Sequence, residues 1–298
     1  MLLAVALFGC GPKADQPPAG QPPGSKEGPD KGPASDPTRV ALAAAVKFGG
    51  YENTLPPVLV GGPAFLLQFS DAGPMDADVT TMRPALEAVP QGVGLNFNGN
   101  KNITDDGIAR LKGMANLKIL FIGGTKATPK CLETVKTLPN LQALSLACEG
   151  EGTTDADLAQ IAGLTKLQEL TIYGNKLTEA GLASLKGLTE IRRVRVCEHL
   201  GDVGLESIKG WTKLEKLELQ GRGVHGDGLS NLAAERLKGF KELRELRFDT
   251  AQIDYAGLDH LSGLSKLEKL VLFRCEKVTD AGIAKLQKAL PACKISRT

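Results

Sequence analysis

Aromatic residues are scarce in this 298-residue chain: nine Phe, three Tyr and one Trp make up 4% of it, too few for base-stacking or sugar-stacking platforms. Histidine is scarcer, and His199, His225 and His260 are scattered, which argues against a metal site. An excess of one charge is also missing. The net charge of +2 is too small to point to nucleic acid. No C-x-x-C spacing occurs, and the five cysteines after Cys10 (Cys131, Cys148, Cys197, Cys275 and Cys293) cannot form a complete disulfide set, so they read as buried free thiols. Nucleophile-elbow, H-E-x-x-H, P-loop and helix-opening G-x-G-x-x-G motifs are absent. No catalytic residue, cofactor or metal is therefore expected. After residue 10 no apolar run is long enough to span a bilayer.

What the chain does have is a leucine-centred unit recurring about every two dozen residues. LKILFIGGT begins at Leu117, LQALSLACE at Leu141, LQELTIYGN at Leu167, IRRVRVCEH at Ile191, LEKLELQGR at Leu214, LRELRFDTA at Leu243 and LEKLVLFRC at Leu267. Apolar residues hold positions one, four and six of each unit. Degenerate copies start at Gly92 and Pro63. Between these strands a second motif recurs, as in Thr104-Asp105-Asp106-Gly107-Ile108, Thr178-Glu179-Ala180-Gly181-Leu182 and Thr279-Asp280-Ala281-Gly282-Ile283. Thr reads as an N-cap, the acid beside it as a match for the helix dipole, and Gly as clearance for the helix to approach the strand.

This combination resembles the bacterial leucine-rich repeat proteins of the T-D-x-G-L type, and is similar to the cysteine-containing repeats of eukaryotic F-box adaptors. The stretch from Thr38 to Phe48 is too short to supply an F-box. The resemblance implies an α/β solenoid, a right-handed horseshoe. About nine parallel strands would line its concave side, with short helices on the convex side and protein binding in the concavity.

The ends need covers. Thr38 to Val46 predicts a capping helix that stops at Gly49-Gly50, and Leu290 to Ile295 predicts a last short strand. The long step from Leu214 to Leu243 should bulge outside the sheet. Residues 38–62 form the capping segment and 63–298 the repeat domain.

Residues 11–37 differ in kind. From Gly11 to Asp36 there is no Leu, Ile, Val or aromatic residue, and Pro and Gly alternate with polar types, which predicts a disordered tether of roughly 25 to 30 Å. Residues 1–10 end in Leu7-Phe8-Gly9-Cys10, which resembles the lipobox of bacterial lipoproteins. That resemblance implies cleavage before Cys10, lipidation of it, and an extracytoplasmic protein that meets the membrane only through the anchor. The alternative is a cytosolic repeat adaptor.

Side chains alternate along a strand, so the residues between the inward ones define an outer surface. One row runs Gln68, Asn96, Phe121, Ser145, Thr171, Arg195, Glu218, Arg247 and Val271. A second includes Tyr173, Asp249 and Phe273, and a third holds Glu169, Arg193, Lys216, Glu245 and Lys269. The N-terminal half of this face reads as small and neutral with Phe121 exposed, and the rest as densely charged. Candidate contacts for a protein ligand are Phe121, Glu169, Thr171, Tyr173, Arg193, Arg195, Glu218, Arg247, Asp249 and Phe273, on a protein expected to be monomeric. Arg195–Glu218 and Glu218–Arg247 pairs would explain the charges by solubility alone. The competing function is structural self-association.

Overall fold

The computed structural model describes residues 36–53, 62, 65–69, 71, 73–147, 152–173, 177–196, 201–220 and 228–298. Cys10, Cys148, Cys197, His199 and His225, with the signal, almost all of the tether and the end of the capping segment, lie outside them. The strands are β1 (Gly50–Asn53), β2 (Phe65–Phe69), β3 (Val93–Asn96), β4 (Leu117–Phe121), β5 (Ala143–Ala147), β6 (Glu169–Tyr173), β7 (Arg193–Val196), β8 (Lys216–Gln220), β9 (Glu245–Asp249), β10 (Lys269–Phe273) and β11 (Lys294–Arg297). They form one sheet in chain order. The architecture is an α/β leucine-rich repeat solenoid.

Among the described residues there are eleven strands, the nine expected in the repeat units and one more at each end. β11 is the short strand anticipated after Leu290, and it runs parallel to β10. β1 was not anticipated and pairs antiparallel with β2. Its sequence, GYEN, has a single buried residue and so no alternation to reveal it.

The helices are α1 (Pro37–Val46), α2 (Asp76–Glu87), α3 (Asp105–Ala109), α4 (Leu132–Val135), α5 (Asp155–Gln160), α6 (Glu179–Ser184), α7 (Asp202–Ser207), α8 (Asn231–Arg236), α9 (Tyr255–His260) and α10 (Asp280–Ala289). α1 is the expected cap and buries Ala41 and Ala45; the chain turns at Gly49, whose φ is 75°. β8 and β9 pair directly, so the long step from Leu214 does not interrupt the sheet.

The core lies between sheet and helices. Positions one, four and six of every complete unit are buried, as in Leu141, Leu144 and Leu146, and they share one core with residues of the helices and the turns after them, such as Leu182, Leu185 and Leu188. Trp211 is fully buried, and its indole N–H donates to Leu185 O at 3.4 Å. Cys131, Cys275 and Cys293 are buried outside any disulfide, and burial pushes the last two up in pKa.

The acid of the helix motif has a role beyond the dipole. Asp155 accepts from the backbone N–H of Thr178 at 2.8 Å and from its hydroxyl at 2.6 Å, so it bridges to the next repeat. Asp76 does the same to Thr104, Asp105 to Thr128 and Asp202 to Ser230. Asn231 makes the equivalent pair of bonds to Asp254. Where Pro129 replaces the acid, Thr154 has no such acceptor behind it. Its own Asp157 accepts from its N–H and hydroxyl instead.

The glycine is explained by the same bridge rather than by approach to the strand. A Cβ on Gly107, Gly181 or Gly257 would overlap the side-chain oxygen of Asp76, Asp155 or Asn231 in the preceding repeat. Asp157 stands at that place where no preceding acid needs the room. Cys131 and Ala233 stand there although Asp105 and Asp202 still make both bonds, so the steric demand is local to particular junctions.

Asp155→Ala should cost about 1 to 2 kcal/mol by removing two charge-assisted bonds, and Gly181→Ala a similar ~1 to 3 kcal/mol by overpacking. In denaturant melts the double variant should lose much less than the sum, because the second change then meets an empty space. Additive losses would place the glycine's role elsewhere.

Candidate functional site

The outer rows align as the repeat requires. Thr171 registers with Arg195, Arg195 with Glu218, Glu218 with Arg247, and Arg247 with Val271. Glu169, Arg193, Lys216, Glu245, Lys269 and Lys294 form the second continuous row. All ten candidate contact residues are half-buried on this face.

The structure gathers nine of them in two adjoining concavities and their margins. Glu169, Thr171, Arg193, Arg195 and Glu218 line a small pocket of about 130 Å³. Arg195, Glu218 and Arg247 line a groove of about 430 Å³ together with Lys216, Glu245, Lys269 and Val271. Tyr173 joins the pocket side, its hydroxyl accepting from Arg195 at 3.3 Å. Asp249 and Phe273 join the groove side through Arg247.

Phe121 is set apart, and it is not exposed as expected. It packs on Leu66, Ile119 and Ala143, which lie on the outer face yet are buried. Gly94 lies between Leu66 and Ile119 in the sheet, and a Cβ there would crowd both, so the bare backbone lets them close over β3. The N-terminal half of the face thus carries an apolar cluster beside the neutral polar residues Gln68 and Asn96, which hydrogen-bond one another.

The charged half is more specifically paired than simple cross-strand matching suggests. Arg195 Nε lies 2.7 Å from one carboxylate oxygen of Glu218. The other oxygen pairs with Lys216 at 2.9 Å, and Lys216 also reaches Glu245 at 3.3 Å. The expected Glu218–Arg247 pair is not made. With Lys216 on Glu218, Arg247 turns to Asp249 at 3.7 Å and lies over the Phe273 ring, 5.2 Å from its centre. Burial alone would lower the Lys216 ammonium, but Glu218 and Glu245 together raise it. A further ladder at the start of the strands, Arg192 with Glu215 and Arg244 with Glu268, adds ion pairs the outer rows did not reveal.

Glu169 is the weak point. Burial raises its carboxyl pKa against the opposing charges of Arg193 and Lys216, and its Oε2, like Arg193 Nε, is buried without a hydrogen-bond partner.

One cation was missed. The eighth position of the repeat is left-handed wherever a positive φ is found on it: Gly99 at 83°, Gly124 at 71°, Thr250 at 57° and Arg274 at 50°. Glycine suits that conformation, whereas an L side chain costs roughly 1 to 2 kcal/mol there. Arg274 accepts this strain and lies over Phe273 from a second direction, 4.9 Å from the ring centre. Its signal in the sequence is an arginine standing where Gly99, Gly124, Gly174 and Gly221 stand in earlier units.

Among the described residues no three His, Cys, Asp or Glu are grouped to hold a metal ion, and no helix is long and apolar enough to cross a membrane.

No protein-family model and no curated protein matches the chain. Among solved structures it is similar to an internalin from Listeria monocytogenes, at 20% identity and a TM-score of 0.47 over 71% of this chain and 62% of that one. It is also similar to a chain in the yeast Rad7 and Elc1 complex, at 18% identity and a TM-score of 0.48 over 72% of this chain and 65% of that one. It therefore spans less than two thirds of either.

Because the Glu169 pKa is raised in the folded state, its ionisation opposes folding above the usual glutamate value of 4.5. Glu169→Gln should raise the melting temperature at pH 7, and the gain should vanish as the pH falls below that value, where both states are protonated. An unchanged melting temperature at pH 7 would mean that Arg193 and Lys216 fully offset the desolvation.

Proposed function

We propose that the protein is a noncatalytic recognition module that holds a protein partner on its outer strand face and is anchored to a membrane through Cys10. The observation that carries this reading is the face from β6 to β10. Arg195, Arg247, Tyr173 and Phe273 stand there half-buried, each touching a neighbour that limits its freedom. Arg and aromatic side chains supply most hot spots at protein interfaces, and those already held in place lose less entropy on docking. Five strands at ~4.8 Å spacing make a surface on the order of 20 Å wide, broader than a small molecule requires.

The anchoring part rests on the sequence: Leu7-Phe8-Gly9-Cys10 followed by a Pro/Gly-rich tether leading to the cap. It places the module outside the cytoplasm, with the partner in the cell envelope, and fits the resemblance to bacterial T-D-x-G-L repeat proteins.

Crosslinking pull-down from native envelope extracts tests the recognition face. Wild type and the helix-side control Lys209→Ala should capture the same partner, and Tyr173→Ala/Arg247→Ala should lose it while keeping its circular dichroism. Equal capture by all three would move the contact off this face. Cys10→Ala should shift the protein from the membrane to the soluble fraction, and unchanged partitioning would count against the anchor.

A further inference from the structure

We infer that the surface carried by β9, β10 and β11 docks an acidic, extended peptide segment of the partner, with an apolar side chain seated between Val271 and Phe273. This rests on the recognition reading and names the chemistry of what is recognised.

The inference starts from charges that remain unmatched. In the middle of the face each carboxylate has a cation: Glu218 takes Arg195 and Lys216, Glu245 takes Lys216, and Asp249 takes Arg247. Beyond Arg247 the matching ends. Among the described residues, Lys269, Arg274 and Lys294 have no carboxylate partner. Lys269 and Lys294 are exposed and stand directly opposite one another on adjacent strands. Like charges so placed repel and destabilise a sheet. Glu245 registers with Lys269 on the other side, but its carboxylate reaches back to Lys216. An anion lying along β10 and β11 would relieve the repulsion.

A second, independent observation falls on the same few residues. Arg274 holds a left-handed backbone at φ 50°, at a position where Gly99 and Gly124 stand in earlier units, and this brings a second guanidinium onto Phe273. Thr250, one repeat earlier, shares that left-handed turn at φ 57°, so the strain falls on the ends of both β9 and β10, and strain concentrated beside a binding surface is the pattern expected of a functional position.

The arrangement has an order. Lys269, Val271 and Phe273 are alternate residues of β10, spaced ~6.6 Å apart. Lys294 joins Lys269 at one end, while Arg247 and Arg274 flank Phe273 at the other. Cation, apolar patch and cation along one strand complement acid, apolar residue and acid along another. A phosphodiester chain fits less well. It would pass Glu245 and Asp249, and it offers nothing to Val271.

The probe is a fluorescein-labelled ten-residue peptide of glutamate, serine, leucine, serine and glutamate in repeated order. Its glutamine counterpart, an oligothymidylate of equal length and phosphatidylglycerol vesicles serve as comparisons. By anisotropy the full chain should bind the glutamate probe at least ten-fold more tightly than the glutamine one, with the difference shrinking as salt rises. Lys294→Glu supplies Lys269 with a partner, so it should melt no lower than wild type yet bind the probe at least ten-fold more weakly. Arg274→Gly, which relieves the backbone, should likewise weaken binding without lowering the melting temperature. Equal affinity for the glutamate and glutamine probes, or undiminished binding by both variants, would overturn the inference. So would tighter binding of the oligonucleotide or the vesicles, which would assign the surface to another class of partner. If partner capture still depends on Tyr173 and Arg247 while the probe shows no acidic preference, only the chemistry inferred here fails. If acidic preference holds but capture does not depend on them, the wider recognition reading fails instead.

Discussion

No repeat in this chain can bury its own leucines. Leu144 and Leu146 are shielded from the sides by Leu120 and Ile122 in one repeat and by Leu170 and Ile172 in the other, and that dependence on neighbours sets everything else. The stack is pinned at two levels. Parallel pairing holds the strands in register, and on the helix side carboxylates such as Asp155 reach into the next repeat to occupy its cap. A slip of one residue at any strand would expose its leucines and bury its charges. The outer rows are therefore as strictly ordered as the core, although nothing covers most of them.

This explains how charged residues can sit half-buried on a sheet. Each is held a fixed strand spacing from its neighbours, so a shared partner such as Lys216 can serve two carboxylates without reorganising. Register also imposes costs it cannot relieve. Glu169 follows Ala143 in its row and meets a charge only on the Arg193 side, and its raised pKa records a desolvation that a lone flanking cation row does not cancel.

Much of this was legible in the sequence, because a period-two strand inside a repeat of two dozen residues states which side chains point inward. The core leucines, the outer rows, the cap at Pro37–Val46 and the last strand all follow from that pattern. What stayed hidden depends on contacts between repeats. Asp155 and Gly181 read as local helix signals, yet each acts on a residue in a neighbouring repeat. Glu218 has two plausible cations by register, and only side-chain reach decides that Lys216 takes the place expected of Arg247. Phe121 looked solvent-exposed because alternation reports a face and not what packs on that face.

The two halves of the outer face have been resolved in opposite ways. Around Phe121, Leu66, Ile119 and Ala143 close on one another across Gly94, and the surface there is consumed by its own packing. Around Phe273 the strands carry two facing lysines and an arginine on a left-handed backbone, two separate costs within three strands. Neither cost is needed to continue the repeat, since Gly99 and Gly124 make the same turn without strain and Lys216, which also faces a cation in Arg193, is matched by Glu218 and Glu245. Stability alone would remove both, and an acidic segment lying along β10 and β11 would offset the first while using the cation that the second places on Phe273.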